Sequence, residues 1–347
     1  MGNAIAGSAL HLERCHPTDD DWRALDRLPG RELFSTRAWV EFLVDTQGGE
    51  PVVAKVVAGE RTVGWFTGLV VRRLGLRILG SPFPGWTTPS MGFAFLESVD
   101  PRDAARALHR FAFRDLGCVH LEFSDRSLRE DDLAGLGFRS TLAMTFQLKL
   151  GTDDDIFGAF TSSCRRAVRK AAKTGVVVEE ATGPGFAEEY LEQLTGVFAR
   201  QGLAPTYGVD RIRSLVDHLG PTGRLLLLRA RDPDGTSIAT GIYPADDATA
   251  YFFGGASVRE KQILRPNEAL FWHAMRHWRD RGVETFDFGG RGDYKRRYGG
   301  TEFWYPAFQR SRYPGLPALR GAAQWWTARR QQLPGGAREV ASDGDEA

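Results

Sequence analysis

The segment 284–300 carries the residue types best suited to chemistry. Near its start, two phenylalanines alternate with Asp287, a pattern typical of a strand with one buried face. Five glycines follow, a composition that lets the backbone pass close to a ligand. Tyr294 and Lys295 lie among these glycines, and the ammonium of Lys295 could stabilise a developing oxyanion or bind a phosphate. The alternative is a glycine-rich structural turn whose basic side chains are solvated.

A second chemical feature is a run of basic residues at helical spacing between positions 162 and 175. Its five cations occupy an arc of about 140° on a helix, with small apolar residues opposite. No acid interrupts the run, so like charges four residues apart repel, which favours a bound anion. We interpret Arg165, Arg169 and Lys173 as candidate phosphate ligands, with a solvated helix face as the alternative.

The segment 254–282 joins a predicted strand to a predicted helix and adds further cations. Arg259 and Lys261 precede the helix, whose N-terminus is a general anion site, and both are candidate substrate-binding residues. Asn267 could cap this helix and is a third candidate. Glu268 complements the helix dipole in the same turn, so its carboxylate could occupy the anion site itself.

His273 and His277 are four residues apart on the same predicted helix, as in a zinc-binding helix. The glutamate that metalloprotease chemistry requires after the first histidine is missing, and the sequence shows no third ligand. The three cysteines are far apart and match neither a disulfide framework nor a structural zinc site. We therefore interpret the histidines as structural and predict no metal.

The composition is that of an ordinary globular protein. The chain has 347 residues, of which 42% are hydrophobic and 26% charged, enough for two domains. A net charge of +1 excludes a generally basic nucleic-acid binder but leaves room for a local basic patch. Only six of the 45 basic residues are lysines, so Lys295 is more informative than any single arginine.

The sequence has no targeting or membrane signal. Its N-terminus lacks a charged region followed by an apolar one, and no apolar run approaches 18 residues. We expect a cytoplasmic protein.

The order of predicted elements repeats between the two halves of the chain. Each half gives helices, an antiparallel meander, another helix and one more strand. Four units follow from this order: a first domain over 1–145, a second over 146–313, a C-terminal helix over 314–333 that packs on the first domain, and a disordered tail over 334–347. A loop over 81–92 with three prolines must hold a defined shape in the first domain.

Together these motifs resemble the Fem-type peptidyltransferases, a branch of the Gcn5-related N-acetyltransferase (GNAT) superfamily. The resemblance is carried by residues 165–178, 254–282, 286–290 and 294–299, and in the first half by residues 33–43 and the order of elements. It implies an α+β fold of two tandem GNAT-like domains, each a mostly antiparallel twisted sheet flanked by helices, with a cleft between them.

The resemblance also implies an activity. Members of the family transfer an aminoacyl group from aminoacyl-tRNA to an amine, typically on a peptidoglycan precursor, and relatives acylate small molecules in natural-product pathways. Tyr294 and Lys295 match an aromatic–lysine pair near the reacting ester, and Asp287 is a candidate to orient the amine, with buried structural pairing as the alternative. Trp86 and Thr87 would line the acceptor side, and Tyr207 is a further candidate substrate-binding residue.

The acyl donor is the main open question. Acyl-CoA-dependent GNAT enzymes carry a glycine-containing pyrophosphate loop, whereas residues 262–269 contain no glycine, and Pro266 has no N–H for a phosphate. We therefore expect charged tRNA as donor and no cofactor. An N-acyltransferase using acyl-CoA or another thioester is the first alternative, and a non-catalytic binding module on the same fold is the second.

Overall fold

The computed structural model describes residues 10–28, 30–200 and 202–313. The predicted C-terminal helix and tail lie outside these ranges. The helices in the described ranges are α1 (Asp19–Asp26), α2 (Arg37–Gln47), α3 (Pro101–Arg110), α4 (Asp153–Ala159), α5 (Ser162–Lys173), α6 (Phe186–Ala199), α7 (Val209–Leu219) and α8 (Pro266–Arg279). None of them has the length and apolar content needed to cross a bilayer.

The strands in these ranges form two sheets. They are β1 (Leu10–Cys15), β2 (Glu50–Ala58), β3 (Arg61–Arg73), β4 (Leu76–Ser81), β5 (Gly92–Phe95), β6 (His120–Ser124), β7 (Arg139–Lys149), β8 (Val177–Glu180), β9 (Leu225–Arg231), β10 (Ser237–Pro244), β11 (Thr249–Tyr251), β12 (Gly254–Ser257), β13 (Thr285–Asp287) and β14 (Thr301–Ser311).

The larger sheet is continuous across both halves of the chain. Its order is β1-β2-β3-β4-β6-β14-β7-β13-β11, with β5 paired to β3, and only the β4–β6 and β11–β13 pairs are parallel. The last described strand, β14, lies between β6 and β7, so a strand near residue 300 completes a hydrogen-bonded ladder with strands from the middle of the chain. The predicted α+β class with a mostly antiparallel sheet is confirmed. The predicted domain boundary between residues 145 and 146 falls inside β7 and stays a prediction.

The smaller sheet has the order β12-β10-β9-β8 and belongs to the second half. The chain leaves the large sheet after β11 and enters the small one at β12, so the two sheets part between Tyr251 and Gly254. Phe252 and Phe253 connect the two strands at this point. A cavity can form there because consecutive strands no longer pair with each other.

Helices of both halves pack in one hydrophobic cluster. Trp39 and Phe42 of α2, fully buried as their spacing predicts, lie in the same cluster as Ile212 and Leu215 of α7. Phe253 joins this cluster and lies edge-on to Trp39 with ring centroids 6.2 Å apart. The walls of the cavity at the parting are therefore held by core contacts between the two halves.

Candidate active site

Lys295 lies in a 3₁₀ turn, Asp293–Tyr298, that follows β13. Its side chain is only 5% exposed, and Nζ donates a hydrogen bond to the carbonyl oxygen of Gly290. Burial lowers the pKa of Lys295 to about 8, against the opposing effect of the Asp287 carboxylate. The result is a desolvated ammonium that can stabilise a negative charge developing nearby.

Two contacts hold this turn in place. Tyr298 is buried against Phe160, with ring centroids 5.8 Å apart and planes at 90°. Gly299 has φ +76°, and a Cβ there would lie 2.7 Å from the Cβ of Ala159. The close approach to α4 therefore requires glycine at this position. These contacts fix the direction in which Lys295 points.

Tyr294 is much more exposed than its neighbour Lys295. Its side chain is 51% exposed, and its ring centroid is 5.8 Å from Nζ of Lys295. The aromatic–lysine pair thus consists of an accessible ring beside a buried ammonium.

Asp287 is buried and has many partners. Its carboxylate accepts hydrogen bonds from Thr145 Oγ1, from Gln147 Nε2 at 3.1 Å and from the Gly289 N–H at 2.7 Å. Its Oδ2 atom also lies 2.9 Å from Nη2 of Arg126. The structural pairing considered for this residue is therefore present, and the same side chain lines the cavity described below.

Arg126 and Glu32 are two charged residues of this region that the sequence reasoning missed. Arg126 is buried among aromatic rings, 4.9 Å from the centroid of Tyr305 and 5.8 Å from that of Tyr251. Half-buried Glu32 is hydrogen-bonded by Ser90, and desolvation raises its pKa to about 7 although the charge of Arg126 lowers it. One signal was present: Arg126 follows β6, whose sequence parallels that of β13.

A cavity of about 360 Å³ lies where the two sheets part. It combines aromatic, glycine and polar residues of both halves: Phe34, Trp39, Gly85, Thr87, Thr88, Pro89, Pro244, Tyr251, Phe252, Phe253, Asp287, Gly289, Gly290 and Tyr305. A second cavity of about 510 Å³ shares Thr88, Pro89 and Tyr305 with it and is lined further by residues of β6, β7 and β14. We call the two adjoining cavities the cleft.

The proline-rich loop supplies one wall of this cavity. Thr87 lines it, as the sequence analysis expects for the acceptor side. Trp86 does not line it, because its ring packs edge-on against Phe83 at 4.8 Å. The carbonyl of Trp86 accepts a hydrogen bond of 2.7 Å from Arg211, so Trp86 supports the loop.

A basic groove of about 910 Å³ runs along α5. We use this name for the surface lined by Thr161, Ser163, Arg166, Ala167, Arg169, Lys170, Lys173, Arg265, Arg296 and Arg297. Arg169 and Lys173 lie in it as expected. Arg165 is outside it, because its guanidinium donates to the carbonyl oxygens of Gly158 and Phe160 at 3.2 and 2.5 Å.

The remaining candidates for substrate binding lie outside both the groove and the cleft. Lys261 is paired with buried Asp232 at 2.6 Å, and Arg259 is exposed.

The two uncharged candidates bond to other side chains. Asn267 donates to Ser257 at 3.2 Å and does not cap α8. The hydroxyl of Tyr207 lies 2.9 Å from that of Tyr190.

The N-terminus of α8 is already occupied by a side chain. Glu268 is buried in the first turn and forms an ion pair of 2.8 Å with Arg297. Pro266 offers no N–H at the first position. This helix end therefore presents a carboxylate where an anion would otherwise bind.

Comparisons with known proteins agree with this architecture. The acetyltransferase (GNAT) domain family matches residues 159–298. FemX is similar in structure, with 16% identity, a TM-score of 0.71, and coverage of 89% of this chain and 99% of that chain. A tandem GNAT protein from the clavulanic acid biosynthesis pathway has 13% identity, a TM-score of 0.54, and coverage of 88% and 99%.

A third similar structure is the C-terminal domain of a protein described as a lysylphosphatidylglycerol synthetase, from Agrobacterium fabrum. It has 16% identity, a TM-score of 0.50, and coverage of 84% of this chain and 92% of that chain. No curated protein matches the chain in sequence. Residues 159–298 thus match the acetyltransferase (GNAT) domain family, and the described chain shares its fold with FemX.

Proposed function

We propose that this chain is an acyltransferase that forms an amide by transferring an aminoacyl group from aminoacyl-tRNA to an amine. The amine would belong to a small molecule or to a cell-wall precursor. The GNAT match supports acyl transfer, and the likeness in fold to FemX supports its Fem-type form. Because charged tRNA is a cytoplasmic molecule, the proposal requires that the chain act in the cytoplasm.

The observation that carries this proposal is the position of three consecutive residues. Lys295 contacts Gly290, which lines the cavity of about 360 Å³. Arg296 and Arg297 line the basic groove. A donor whose phosphates lie in the groove can therefore present its ester at Lys295, opposite an acceptor in the cavity.

The reaction follows from this arrangement. The amine nitrogen attacks the ester carbonyl carbon, a C–N bond forms, and the bond to the ribose oxygen breaks. The proton lost by the amine balances the one gained by the ribose oxygen. The ammonium of Lys295 stabilises the negative charge on the carbonyl oxygen or on the leaving oxygen, worth roughly 10²–10³ in rate per donor.

Two further residues would act on the substrates without taking part in bond changes. The exposed ring of Tyr294 is a platform for the terminal adenine of the donor, since aromatic side chains stack on any base. Asp287 already accepts three hydrogen bonds and pairs with Arg126. We assign it a positioning role, holding Gly289 and the cavity wall against which the amine is oriented.

An acyl-CoA donor is the main competing proposal. The tandem GNAT protein compared above was solved without AcCoA, and an acyl-CoA donor is considered by analogy with it. In this chain a pyrophosphate at the N-terminus of α8 would have to displace the ion pair of buried Glu268 with half-buried Arg297. We therefore favour aminoacyl-tRNA as the donor, with no resident cofactor. A thioester donor is the first alternative. A non-catalytic binding module is the second alternative.

One experiment separates the three. The full chain is incubated with mixed charged tRNAs or acyl-CoA esters and a host metabolite extract, with and without RNase, and the products are identified by mass spectrometry. An amide product that RNase abolishes supports the proposal. A product formed from acyl-CoA in the presence of RNase identifies the alternative donor, and absence of product with either donor contradicts acyl transfer.

A further inference from the structure

A carboxylate of β8 and two imidazoles of α8 lie close together. His273 and His277 lie one helical turn apart, and Glu180 is the last residue of β8. One candidate ligand atom from each lies within 4.8 Å of the other two. Oε1 of Glu180 is 2.8 Å from Nδ1 of His277. The third ligand that the helix alone lacks is therefore supplied by the neighbouring strand.

The chemistry of the three side chains suits a metal ion. An imidazole binds a metal through a ring nitrogen, and a carboxylate binds it through an oxygen. Two imidazoles and one carboxylate form a donor set that suits Zn²⁺, with one position left for water.

The surroundings leave space for that fourth position. His273 lines a cavity of about 430 Å³ between α5 and α8, whose other walls include Phe157 and Trp272. Glu180 is exposed and ends an edge strand of the small sheet, so an ion can enter from solvent.

Two arginines lie close to the three residues. The charge of Arg276 is balanced by Asp153, with Nε 3.1 Å from Oδ2. Arg281 donates to the carbonyl oxygen of His277 at 3.1 Å, and its charge opposes a cation. A metal ion must therefore be held by direct coordination to the three side chains, because the surrounding charges do not attract a cation.

We propose that Glu180, His273 and His277 form a binding site for a divalent transition-metal ion, with zinc as the ion that fits the ligands. The three residues line neither the groove nor the cleft, although the cavity beside His273 shares Arg169 with the groove. The inference does not depend on the acyl-transfer proposal.

The test uses the untagged full chain after treatment with a chelator. Titration with ZnCl₂ by calorimetry at pH 7.5 should show one zinc per chain, and His273→Gln, His277→Gln and Glu180→Gln should each weaken binding at least tenfold. Titration with Co²⁺ should give the visible absorption of a four-coordinate ion, which His273→Gln abolishes. Circular dichroism verifies that each variant is folded.

A matched control comes from another histidine beside carboxylates. His218 lies 2.6 Å from Asp45 and 3.7 Å from Glu41 but has no second imidazole with it, so His218→Gln should leave zinc binding unchanged. The proposal is overturned if the wild-type chain binds no zinc saturably. It is equally overturned if binding survives in folded His273→Gln and His277→Gln proteins. Glu180 is exposed, so its variant keeps the test valid even where a histidine variant fails to fold.

Discussion

Arg126 and Asp287 form a buried ion pair that connects the two halves of the chain, with Nη2 of Arg126 2.9 Å from Oδ2 of Asp287. Each residue follows or ends a strand of the shared sheet, β6 for the arginine and β13 for the aspartate. Since Asp287 also lines the cavity, the pair couples the position of a cavity wall to the packing of the two halves.

Replacing Arg126 by Met should destabilise the protein by roughly 3–5 kcal/mol, because the carboxylate of Asp287 then remains buried without its countercharge. Urea unfolding followed by circular dichroism measures the change. The double variant Arg126→Met/Asp287→Asn should lose less than the sum of the single losses, since no unpaired charge is left.

The matched control is the exposed pair of Arg61 and Glu97, whose side chains are 66% and 36% exposed. Arg61→Met should change stability by less than about 1 kcal/mol. Equal losses of unfolding free energy in Arg126→Met and Arg61→Met would show that the buried pair contributes no more to stability than the exposed one.

Lys295→Ala should lower turnover at least tenfold while the fold persists, because the transition state loses its charged hydrogen-bond donor. Product formation under saturating donor, with circular dichroism as the fold check, measures this. Lys149→Ala makes the same substitution at an exposed lysine and should leave turnover unchanged. Turnover near wild type in Lys295→Ala would remove this lysine from the mechanism.

The role of Lys295 also predicts a pH dependence. Its pKa is lowered from 10.5 to about 8, so the rate supported by the ammonium should fall as pH rises through about 8. Lys295→Arg keeps its charge over this range, so the ratio of wild-type to variant rate between pH 7 and 9 isolates the effect. A ratio that stays constant would contradict an electrostatic role.

The free energy of unfolding should also depend on pH, and it should rise where the rate falls. Between pH 8 and 10.5 the unfolded chain holds a proton on Lys295 that the folded chain has released. The free energy of unfolding should therefore rise with pH across this window, and the rise should be smaller in Lys295→Met. Unfolding in urea at several pH values measures it, and identical profiles for both proteins would contradict the lowered pKa.

Charge reversal in the basic groove should weaken binding of tRNA. Arg169→Glu and Lys173→Glu remove two groove cations, so the slope of log K against log salt should become shallower by roughly 0.7–0.9 per lost phosphate contact. Filter binding at several salt concentrations measures it. Arg72→Glu changes an exposed arginine of β3, outside the groove, and should have little effect. Equal losses in all variants would point to a non-specific charge effect.

Local patterns predicted several of the elements well. The spacing of Trp39 and Phe42 predicted the buried face of α2, and the alternation around Asp287 predicted the strand β13. The glycines around Lys295 predict close approach to a ligand, with a structural turn as the alternative; Gly299 meets α4 at Ala159, and the ligand contact stays a prediction. These features depend on neighbours in sequence or on one close contact, which composition can signal.

Long-range partners could not be predicted in the same way. Arg165 and Arg169 look equivalent on a helical wheel, yet the end of α4 offers free carbonyl groups to Arg165 alone. Arg126 is one of many arginines, and only the sheet brings it to Asp287. Glu180 reaches His277 because β8 ends beside α8, a pairing that no local spacing encodes.

The insertion of β14 between β6 and β7 has a consequence for biosynthesis. On the ribosome, β6 and β7 emerge long before residues 301–311, so the central ladder cannot close until nearly all the described chain has been made. Because such distant pairing is entropically costly and slow, we expect the edges of β6 and β7 to be open to misassociation during translation. The pairing of β14 with β6 and β7 is therefore the step that commits the nascent chain to its native state.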